Sequence, residues 1–274
     1  MQKRIYAAVL VLLILVIVFL ANKLIHQRSL VNDGKVWASL YQQEAAEYRA
    51  LCFQAYNVAK DRVDEAVKVH TDTPYAVITD IDETLLYNSR YDALRALEDS
   101  DFRNSDWKKW TAKGSADTVP GAPEFFKYAA SKGVAVFYIT NRSKAERAGT
   151  LKNLLKYNLP NTANLILQSN ANSSKEFRRN LVIHGKKPYK IIVYCGDNLG
   201  DFAKAFDNKK GAKLTIEQRR DSVNKYSKLF GNKYIIIPNI DYDDWEGAYY
   251  NYALPDKQKD KIVEGLLDVD TAGR

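Results

Sequence analysis

The fold of this chain is decided by residues 75–84, which read YAVITDIDET. The first five of them are apolar or β-favouring and predict a short buried strand. Two acidic side chains, Asp80 and Asp82, follow at once. Because ligands of open parallel sheets bind beyond the carboxyl ends of the strands, this acidic pair marks a candidate functional site.

Four more short apolar runs follow along the chain, and each ends in a polar or glycine-containing turn. The runs lie at 134–139, 165–167, 190–194 and 234–237, with helical patterns between them at 122–131, 144–155, 174–184 and 201–206. Strands that alternate with helices predict an α/β fold with a parallel sheet flanked by helices. The nearly continuous apolar character of the runs indicates strands that are covered on both faces.

Three segments lie outside this alternation. Residues 85–119 are polar and rich in Trp, Tyr and Asp, so we expect them to form a small, mainly helical cap. Residues 22–34 predict a polar linker. Residues 35–70 predict one long helix, because apolar side chains recur at three-, four- and seven-residue steps without Gly or Pro. Its apolar face comprises Trp37, Tyr41, Tyr48, Cys52, Tyr56, Ala59 and Val63.

The N-terminus has the composition of a targeting or anchoring segment. Lys3 and Arg4 precede an apolar run of 17 residues, 5–21, which is just long enough to cross a bilayer as a helix. No small-residue cleavage pattern follows, so residues 1–28 predict an uncleaved anchor in preference to a cleaved signal peptide. The basic tail favours the cytoplasmic side of the membrane, which places residues 29–274 on its extracytoplasmic face.

The composition excludes some classes of protein. With 274 residues, 46% hydrophobic and 12% aromatic, the chain is expected to fold and not to be disordered. Half of the formal net charge of +8 lies in residues 1–28. The remaining excess does not indicate a nucleic-acid polymer as partner, but it favours anionic ligands. Cys52 and Cys195 are too few for a disulfide framework, and two buried thiols are favoured over one bridge.

Polar clusters follow the predicted strands in a fixed order. Asp80–Thr84 follows the first strand, Thr140-Asn141-Arg142 the second and residues 196–201, GDNLGD, the fourth, while Lys175 opens the helix after the third. Each cluster alone is weak evidence, because paired acids and lysines usually lie on the surface and Thr-Asn can cap a helix. Together, at one edge of one sheet, the clusters are strong evidence for a functional site.

This combination of side chains suits phosphoryl transfer. Aspartate oxygens suit Mg²⁺, which would neutralise the repulsion between carboxylates and a phosphoryl group. One carboxylate can attack phosphorus, while a second one exchanges protons with the leaving alcohol and with water. Thr140, Asn141 and Lys175 would hold the phosphoryl oxygens.

The same motifs carry a resemblance. The series D-x-D-x-T, Thr-Asn, Lys and G-D-x-x-x-D resembles the haloacid dehalogenase-like (HAD) phosphatases. Further motifs in residues 119–122, 136–142, 195–202 and 237–245 look like the class C bacterial acid phosphatases, surface enzymes that include 5′-nucleotidases. The resemblance spans roughly residues 35–245. It implies a HAD-like Rossmannoid sheet with a cap, and a place in the bacterial cell envelope, periplasmic or otherwise outside the cytoplasm.

The resemblance also implies a role for each matching residue. Asp80 would be the nucleophile, and Asp82 the general acid and base. Mg²⁺ would bind the carboxylates of Asp80 and Asp197 and the backbone carbonyl of Asp82. Asp201 would orient Lys175 or a metal-bound water. Lys186, Lys187 and Lys190 remain alternatives to Lys175. Many members of the family are lipid-anchored through a Cys that stands directly after the signal sequence. This chain has no Cys directly after its apolar run.

Aromatic residues could select the substrate. Tyr242 and Trp110 are candidates for stacking on a nucleobase, with Tyr91, Trp107 and Trp245 as weaker ones. The alternative is that Trp107 and Trp110, three residues apart, form the core of the cap. The sequence therefore predicts a Mg²⁺-dependent acid phosphatase for phosphomonoesters that include nucleoside monophosphates. A phosphatase for sugar phosphates or phosphotyrosine, and a non-catalytic phosphate-binding relative, remain alternatives.

Overall fold

A parallel five-stranded sheet lies at the centre of the computed structural model, which describes residues 2–25, 29–169, 174–208 and 213–270. Its strands, in the order β5-β4-β1-β6-β7, pair in parallel throughout. They are β1 (Tyr75–Thr79), β4 (Ala135–Ser143), β5 (Leu165–Gln168), β6 (Lys190–Gly196) and β7 (Tyr234–Ile236). The predicted fold class, a parallel sheet flanked by helices, is confirmed.

The first strand is central because its side chains serve two cores. Val77 packs into a cluster that includes Phe126 and Tyr56, whereas Ala76 and Ile78 pack on the opposite face. All three β1 residues are at most 3% exposed. Successive side chains of a strand point to opposite faces, so an uninterrupted apolar run is needed where both faces are covered.

The helices predicted at 122–131, 144–155 and 174–184 are present, with bounds that differ by at most three residues. Six α-helices are described after the cap segment, where four were predicted. They are α6 (Ala122–Ser131), α7 (Arg147–Lys156), α8 (Glu176–His184), α9 (Ile216–Lys225), α10 (Asp244–Gly247) and α11 (Asp256–Leu266). The helix expected at 201–206 is instead two 3₁₀ turns, Leu199–Asp201 and Lys204–Phe206. Another 3₁₀ turn, Lys144–Glu146, precedes α7.

The single helix predicted at 35–70 is wrong in its bounds. The chain forms α2 (Leu30–Glu44) and α3 (Ala46–Ala66), separated at Ala45, whose ψ of 126° is extended. The expected linker therefore already contains the first turn of α2, which Ser29 caps. Of the predicted apolar face, Tyr48 to Val63 are buried on α3, while Trp37 on α2 is 72% exposed.

The segment predicted as a cap contains two helices and a small antiparallel pair. Helices α4 (Ser89–Leu97) and α5 (Asn104–Lys113) lie between β2 (Leu86–Tyr87) and β3 (Asp117–Thr118), which pair with each other. This pairing brings the two ends of the segment close to each other, as expected for a segment inserted between two parts of one sheet. Both cysteines are free and buried, as favoured, with no disulfide.

The N-terminal segment forms α1 (Gln2–Ile25). Within the part of the chain that the structure describes, no helix has both the length and the apolar character to cross a membrane. The division into residues 1–28 and 29–274 stays a prediction. Met1 and residues 26–28, 170–173, 209–212 and 271–274 of those predicted segments lie outside the described residues.

Candidate active site

The loop after β1 presents two carboxylates at the same edge of the sheet. The Asp80 amide still donates to the Cys195 carbonyl, at 3.0 Å, so Asp80 continues the strand. The chain then turns back, because the Leu85 and Leu86 amides both donate to the Ile81 carbonyl. Glu83 takes a left-handed φ of 53° within this turn. Ile81 is anchored in the core, which leaves Asp80 and Asp82 partly exposed on either side of it.

Lys175 joins two of the predicted residues. Its Nζ lies 2.6 Å from Asp80 Oδ1 and 2.5 Å from Asp201 Oδ1. Burial lowers the pKa of Lys175, but the two carboxylates outweigh it and the net shift is upward. The lysine therefore stays charged while it is 5% exposed. Of the alternatives considered from the sequence, Lys186, Lys187 and Lys190 are exposed, so the geometry favours Lys175.

Asp197 and Asp201 follow β6 and face the first loop. Asp197 Oδ1 accepts from the Thr84 hydroxyl at 2.8 Å, and its Oδ2 accepts from Asn239 Nδ2 at 2.9 Å. Asp201 fits closely against Gly196, where an added Cβ would lie 2.3 Å from the Asp201 Cβ. Glycine is required there, because any larger residue would push Asp201 away from Lys175.

Three of these carboxylates could hold one cation. Oxygen atoms of Asp80, Asp197 and Asp201 all lie within 4.8 Å of one another. Burial raises the pKa of Asp80 to about 7, and the neighbouring acids add to the rise. Burial and the same crowding raise the pKa of Asp197 well above its usual range. A divalent cation with oxygen ligands would relieve this repulsion, so the residues fit a metal centre.

Asp82 is oriented differently and does not belong to this carboxylate group. Arg142 Nη2 donates to Asp82 Oδ1 at 2.7 Å and Arg142 Nε donates to Oδ2 at 3.0 Å. Asn88 Nδ2 adds a bond to Oδ1 at 2.9 Å. Such a forked contact fixes the direction of a carboxylate. The metal role predicted for Asp82 concerned its backbone carbonyl and stays a prediction.

Thr140 and Asn141 lie in the C-terminal part of β4, which extends beyond its predicted end at 139, and are tied to α8 by one arginine. Arg178 Nη1 donates to the Thr140 carbonyl at 2.5 Å and Arg178 Nη2 to Asn141 Oδ1 at 2.6 Å. Thr140 is buried, and its hydroxyl accepts from the Arg142 amide at 3.1 Å. Because Lys175 lies three residues before Arg178, this arginine holds Lys175 close to Thr140 and Asn141.

The two main aromatic candidates contact the first loop and not each other. Trp110 Nε1 donates to Asn88 Oδ1 at 2.8 Å. The Tyr242 hydroxyl donates to Glu83 Oε1 at 3.3 Å. Tyr91 and Trp107 instead meet edge to face within the cap, with ring centres 5.3 Å apart. Both predicted stacking residues thus contact the loop after β1. The alternative placed Trp107 and Trp110 in the core of the cap; Trp110 packs against the main hydrophobic cluster, whereas Trp107 is partly exposed and does not belong to that cluster.

Sequence reasoning gave no role to several residues that build this site. Arg142, Arg178 and Asn88 are buried and make the contacts described above. Arg142 belongs to the quoted Thr140-Asn141-Arg142 cluster, and Asn88 lies six residues after Asp82, so nearness in sequence to the predicted site residues was a usable signal. Arg178 had no such signal, because its partners lie 37 and 38 residues away.

The comparisons with known proteins agree with this arrangement. Residues 22–245 match the family model described as HAD superfamily, subfamily IIIB (acid phosphatase). A class C acid phosphatase structure from Bacillus anthracis, with tungstate bound, has a TM-score of 0.80 and 35% identity, covering 88% of this chain and 99% of that one. Acid phosphatase 1 of Solanum lycopersicum is 27% identical over 185 residues, 62% of this chain and 71% of its own length. The chain therefore belongs to the acid phosphatase family of HAD subfamily IIIB.

Proposed function

We propose that this chain is a Mg²⁺-dependent phosphomonoesterase that works through an aspartyl-phosphate on Asp80, with nucleoside monophosphates among its substrates. One observation carries the proposal: Lys175 joins Asp80 and Asp201, and the oxygens of Asp80, Asp201 and Asp197 lie within 4.8 Å. Membership of an acid phosphatase family supports the reaction class.

In the first half-reaction, a carboxylate oxygen of Asp80 attacks phosphorus. A bond forms between that oxygen and phosphorus while the bond from phosphorus to the ester oxygen breaks. The leaving oxygen takes a proton from the carboxyl group of Asp82, which Arg142 and Asn88 hold in place. Thr140 and Lys175 face the phosphoryl oxygens, and Lys175 offsets their negative charge.

In the second half-reaction, water replaces the alcohol. Asp82, now a carboxylate, takes a proton from a water molecule, whose oxygen attacks phosphorus. The bond between phosphorus and Asp80 breaks, which releases inorganic phosphate and restores the Asp80 carboxylate. Two carboxylates with different partners, Asp80 beside Lys175 and Asp82 beside Arg142, support this division of tasks.

The carboxylates of Asp80 and Asp197 would hold Mg²⁺. Asp201 would support the site by orienting Lys175. When bound, the ion supplies charge neutralisation for the phosphoryl group and for the carboxylates around it. Burial raises the pKa of Asp80 although Lys175 opposes the rise, and burial together with neighbouring acids raises the pKa of Asp197. A cation at this position would favour the charged form of both carboxylates.

A direct test is phosphate release from an aryl phosphate by the purified chain. We expect turnover that requires Mg²⁺, stops with EDTA and returns when Mg²⁺ is added in excess. Binding of phosphate without release of the alcohol would instead indicate the non-catalytic relative. Turnover that is unchanged in EDTA would contradict the metal dependence.

Tyr242 and Trp110 support a nucleobase as part of the substrate. We expect kcat/KM for 5′-AMP to exceed that for a sugar phosphate, and Tyr242→Ala to lower it selectively, by about tenfold for one lost stacking ring. Tyr242→Phe is the matched control, since it keeps the ring and removes only the bond to Glu83. Equal losses on 5′-AMP, 3′-AMP and the sugar phosphate would refute nucleotide stacking.

We also propose that the enzyme acts outside the cytoplasm, because the sequence of residues 1–28 has the pattern of an anchor or signal. Mass spectrometry of the protein isolated from its cells would reveal the mature N-terminus. An intact N-terminus in the membrane fraction supports an anchor, and a truncated one supports a cleaved signal. An intact chain in the cytoplasm would contradict the proposal.

A further inference from the structure

A second cavity lies beside the active site, between the cap and the C-terminal residues. It has a volume of about 660 Å³. Acidic side chains dominate its polar lining, and we call it the acidic cavity. They are Asp92, Asp101, Asp241, Asp243, Asp244 and Glu246.

The basic residues in the lining, Lys35 and Arg95, do not balance these acids. Lys35 Nζ lies 3.2 Å from Glu246 Oε1, while Arg95 turns to Glu98, which is not part of the lining. Asp101 is paired with Lys259 from α11. Among the described residues, Asp92 and Asp241 take part in no ion pair. The acidic groups of the cavity wall therefore outnumber the cations that could pair with them.

Some of the acids in the wall also have unused hydrogen-bonding capacity. Asp241 is 2% exposed, and its Oδ1 accepts from the Ser39 hydroxyl at 3.3 Å, but its Oδ2 is buried without a partner. Asp92 Oδ2 and Glu246 Oε2 are buried without a partner as well. Burial, opposed in part by Ser39 and Lys35, raises the pKa of Asp241 to about 7. Buried carboxylates in this state are strongly stabilised by a cation.

The nonpolar part of the wall is aromatic. Rings line the cavity together with the carboxylates, and aromatic faces attract cations, quaternary ammonium groups above all. The rings belong to Tyr91, Phe102, Trp107, Tyr242 and Tyr252.

A small metal ion does not fit this arrangement. Across all the described residues, the group of three acidic ligands within 4.8 Å is Asp80, Asp197 and Asp201, none of which lines the cavity. No three carboxylates of the acidic cavity therefore come close enough together to share one ion. A larger cation with an alkyl surface matches both the spacing and the rings.

The cavity shares walls with the catalytic loop. The Trp107 ring lies 5.8 Å from the Arg142 guanidinium, which holds Asp82. Tyr242 contacts Glu83, next to Asp82 in the chain. Asp82 is the proposed proton donor to the leaving alcohol, so this alcohol must lie on the Asp82 side of the phosphoryl group.

From these contacts we propose that the acidic cavity binds an alkylammonium group carried by the leaving alcohol, so that phosphate esters of amino alcohols are substrates. The claim that such esters are substrates rests on the proposed phosphatase function. The recognition part is independent of catalysis, because binding of the free amino alcohol can be measured without turnover.

The binding test compares choline with 3,3-dimethyl-1-butanol, which has nearly the same shape and no charge. Calorimetry on the full chain should detect choline and not the neutral alcohol. Asp92→Asn and Asp241→Asn should each weaken choline binding by about tenfold, the effect of one charge removed near a cation. Asp221→Asn is the control, because Asp221 is an exposed acid on α9 that does not line the cavity. Equal binding of both alcohols, no binding of choline, or equal weakening by Asp221→Asn would overturn the cation site.

The kinetic test compares phosphocholine with 3,3-dimethylbutyl phosphate. We expect kcat/KM for phosphocholine to be at least about tenfold higher, and Asp92→Asn to bring the ratio towards one. A ratio near one in the wild type, with both esters hydrolysed, would overturn the substrate assignment. Failure to hydrolyse any ester, an aryl phosphate included, would instead refute the proposed function. Competitive inhibition of aryl phosphate hydrolysis by choline supports the leaving-group position, whereas noncompetitive inhibition would contradict it.

Discussion

Two acidic regions of this molecule lie side by side and differ in how their charge is balanced. We define the catalytic edge as Asp80, Asp82, Lys175, Asp197 and Asp201. Lys175 meets Asp80 and Asp201 at 2.6 and 2.5 Å. Arg142 meets Asp82 at 2.7 Å. In the acidic cavity, Asp92 and Asp241 lack any such partner among the described residues. The first region is arranged for an anion between fixed cations, and the second for a cation between fixed anions.

The difference indicates how one site can recognise both halves of a substrate. A phosphoryl group needs positive charge placed in advance, which Lys175 supplies. A leaving group with the opposite charge needs a separate place, because it would be repelled by the same lysine. Substitutions at the catalytic edge should therefore have larger effects on turnover than changes in the acidic cavity.

The largest effect is expected from Asp80→Asn. The amide cannot form the covalent intermediate, so kcat on an aryl phosphate should fall by about 10⁴-fold or more, as for other nucleophile replacements. Steady-state assays with saturating Mg²⁺ measure this loss. Circular dichroism should confirm that the variant is folded. Wild-type turnover by a folded Asp80→Asn variant would refute the nucleophile assignment.

Lys175→Met should be the next most damaging change. It leaves Asp80 and Asp201 as buried carboxylates without their cation, which costs about 3 kcal/mol of unfolding free energy, and it lowers kcat by about 10²-fold or more. Urea denaturation and phosphate release measure the two effects. Lys186→Met is the matched control on an exposed lysine and should behave like the wild type. Equal losses of stability and turnover in both variants would contradict a specific role of Lys175 in the site.

A smaller loss is expected from Trp110→Phe, which keeps a ring and removes the indole donor to Asn88. Asn88 also holds Asp82, so kcat should fall by about tenfold while KM for an aryl phosphate changes little. The control is Trp37→Phe, since Trp37 is 72% exposed on α2. A rise in KM without a change in kcat would place Trp110 in substrate binding instead.

The smallest effect concerns stability and the acidic cavity. Burial raises the pKa of Asp241 to about 7 and that of Asp92 well above its usual range. Between about pH 4 and pH 7 the folded chain then binds more protons than the unfolded chain, so its stability falls as the pH rises. Without metal, we expect a melting temperature a few degrees lower at pH 8 than at pH 5. Asp92→Asn should reduce this difference, and Asp221→Asn should not. A higher melting temperature at pH 8 would contradict the charge state assigned to the cavity.

The proximity of the polar clusters could be predicted from the sequence because they lie at the ends of strands. An apolar run covered on both faces is readable without a structure, and β1 was predicted with its observed bounds. Four polar clusters at strand ends then had to meet at one edge. The same local reasoning failed at Ala45, where the helix breaks without any Gly or Pro to announce it.

The acidic cavity could not be predicted in this way. Lys35, Asp92 and Asp241 come from α2, from the cap and from the loop after β7, and no periodic pattern links them. Their proximity depends on how α2 packs on α4, which is a property of tertiary packing. Arg178 was missed for the same reason, since its partners lie on β4, 37 and 38 residues away in sequence.

The most direct test of the account is to trap the covalent intermediate. The wild-type chain would be mixed with substrate and Mg²⁺, quenched in acid within one turnover, digested and analysed by mass spectrometry. The account predicts one added phosphoryl group on the peptide that contains residues 80–84, located on Asp80 and absent when substrate is omitted. A phosphoryl group on another residue, or rapid turnover with no phosphorylated peptide at any quench time, would contradict it.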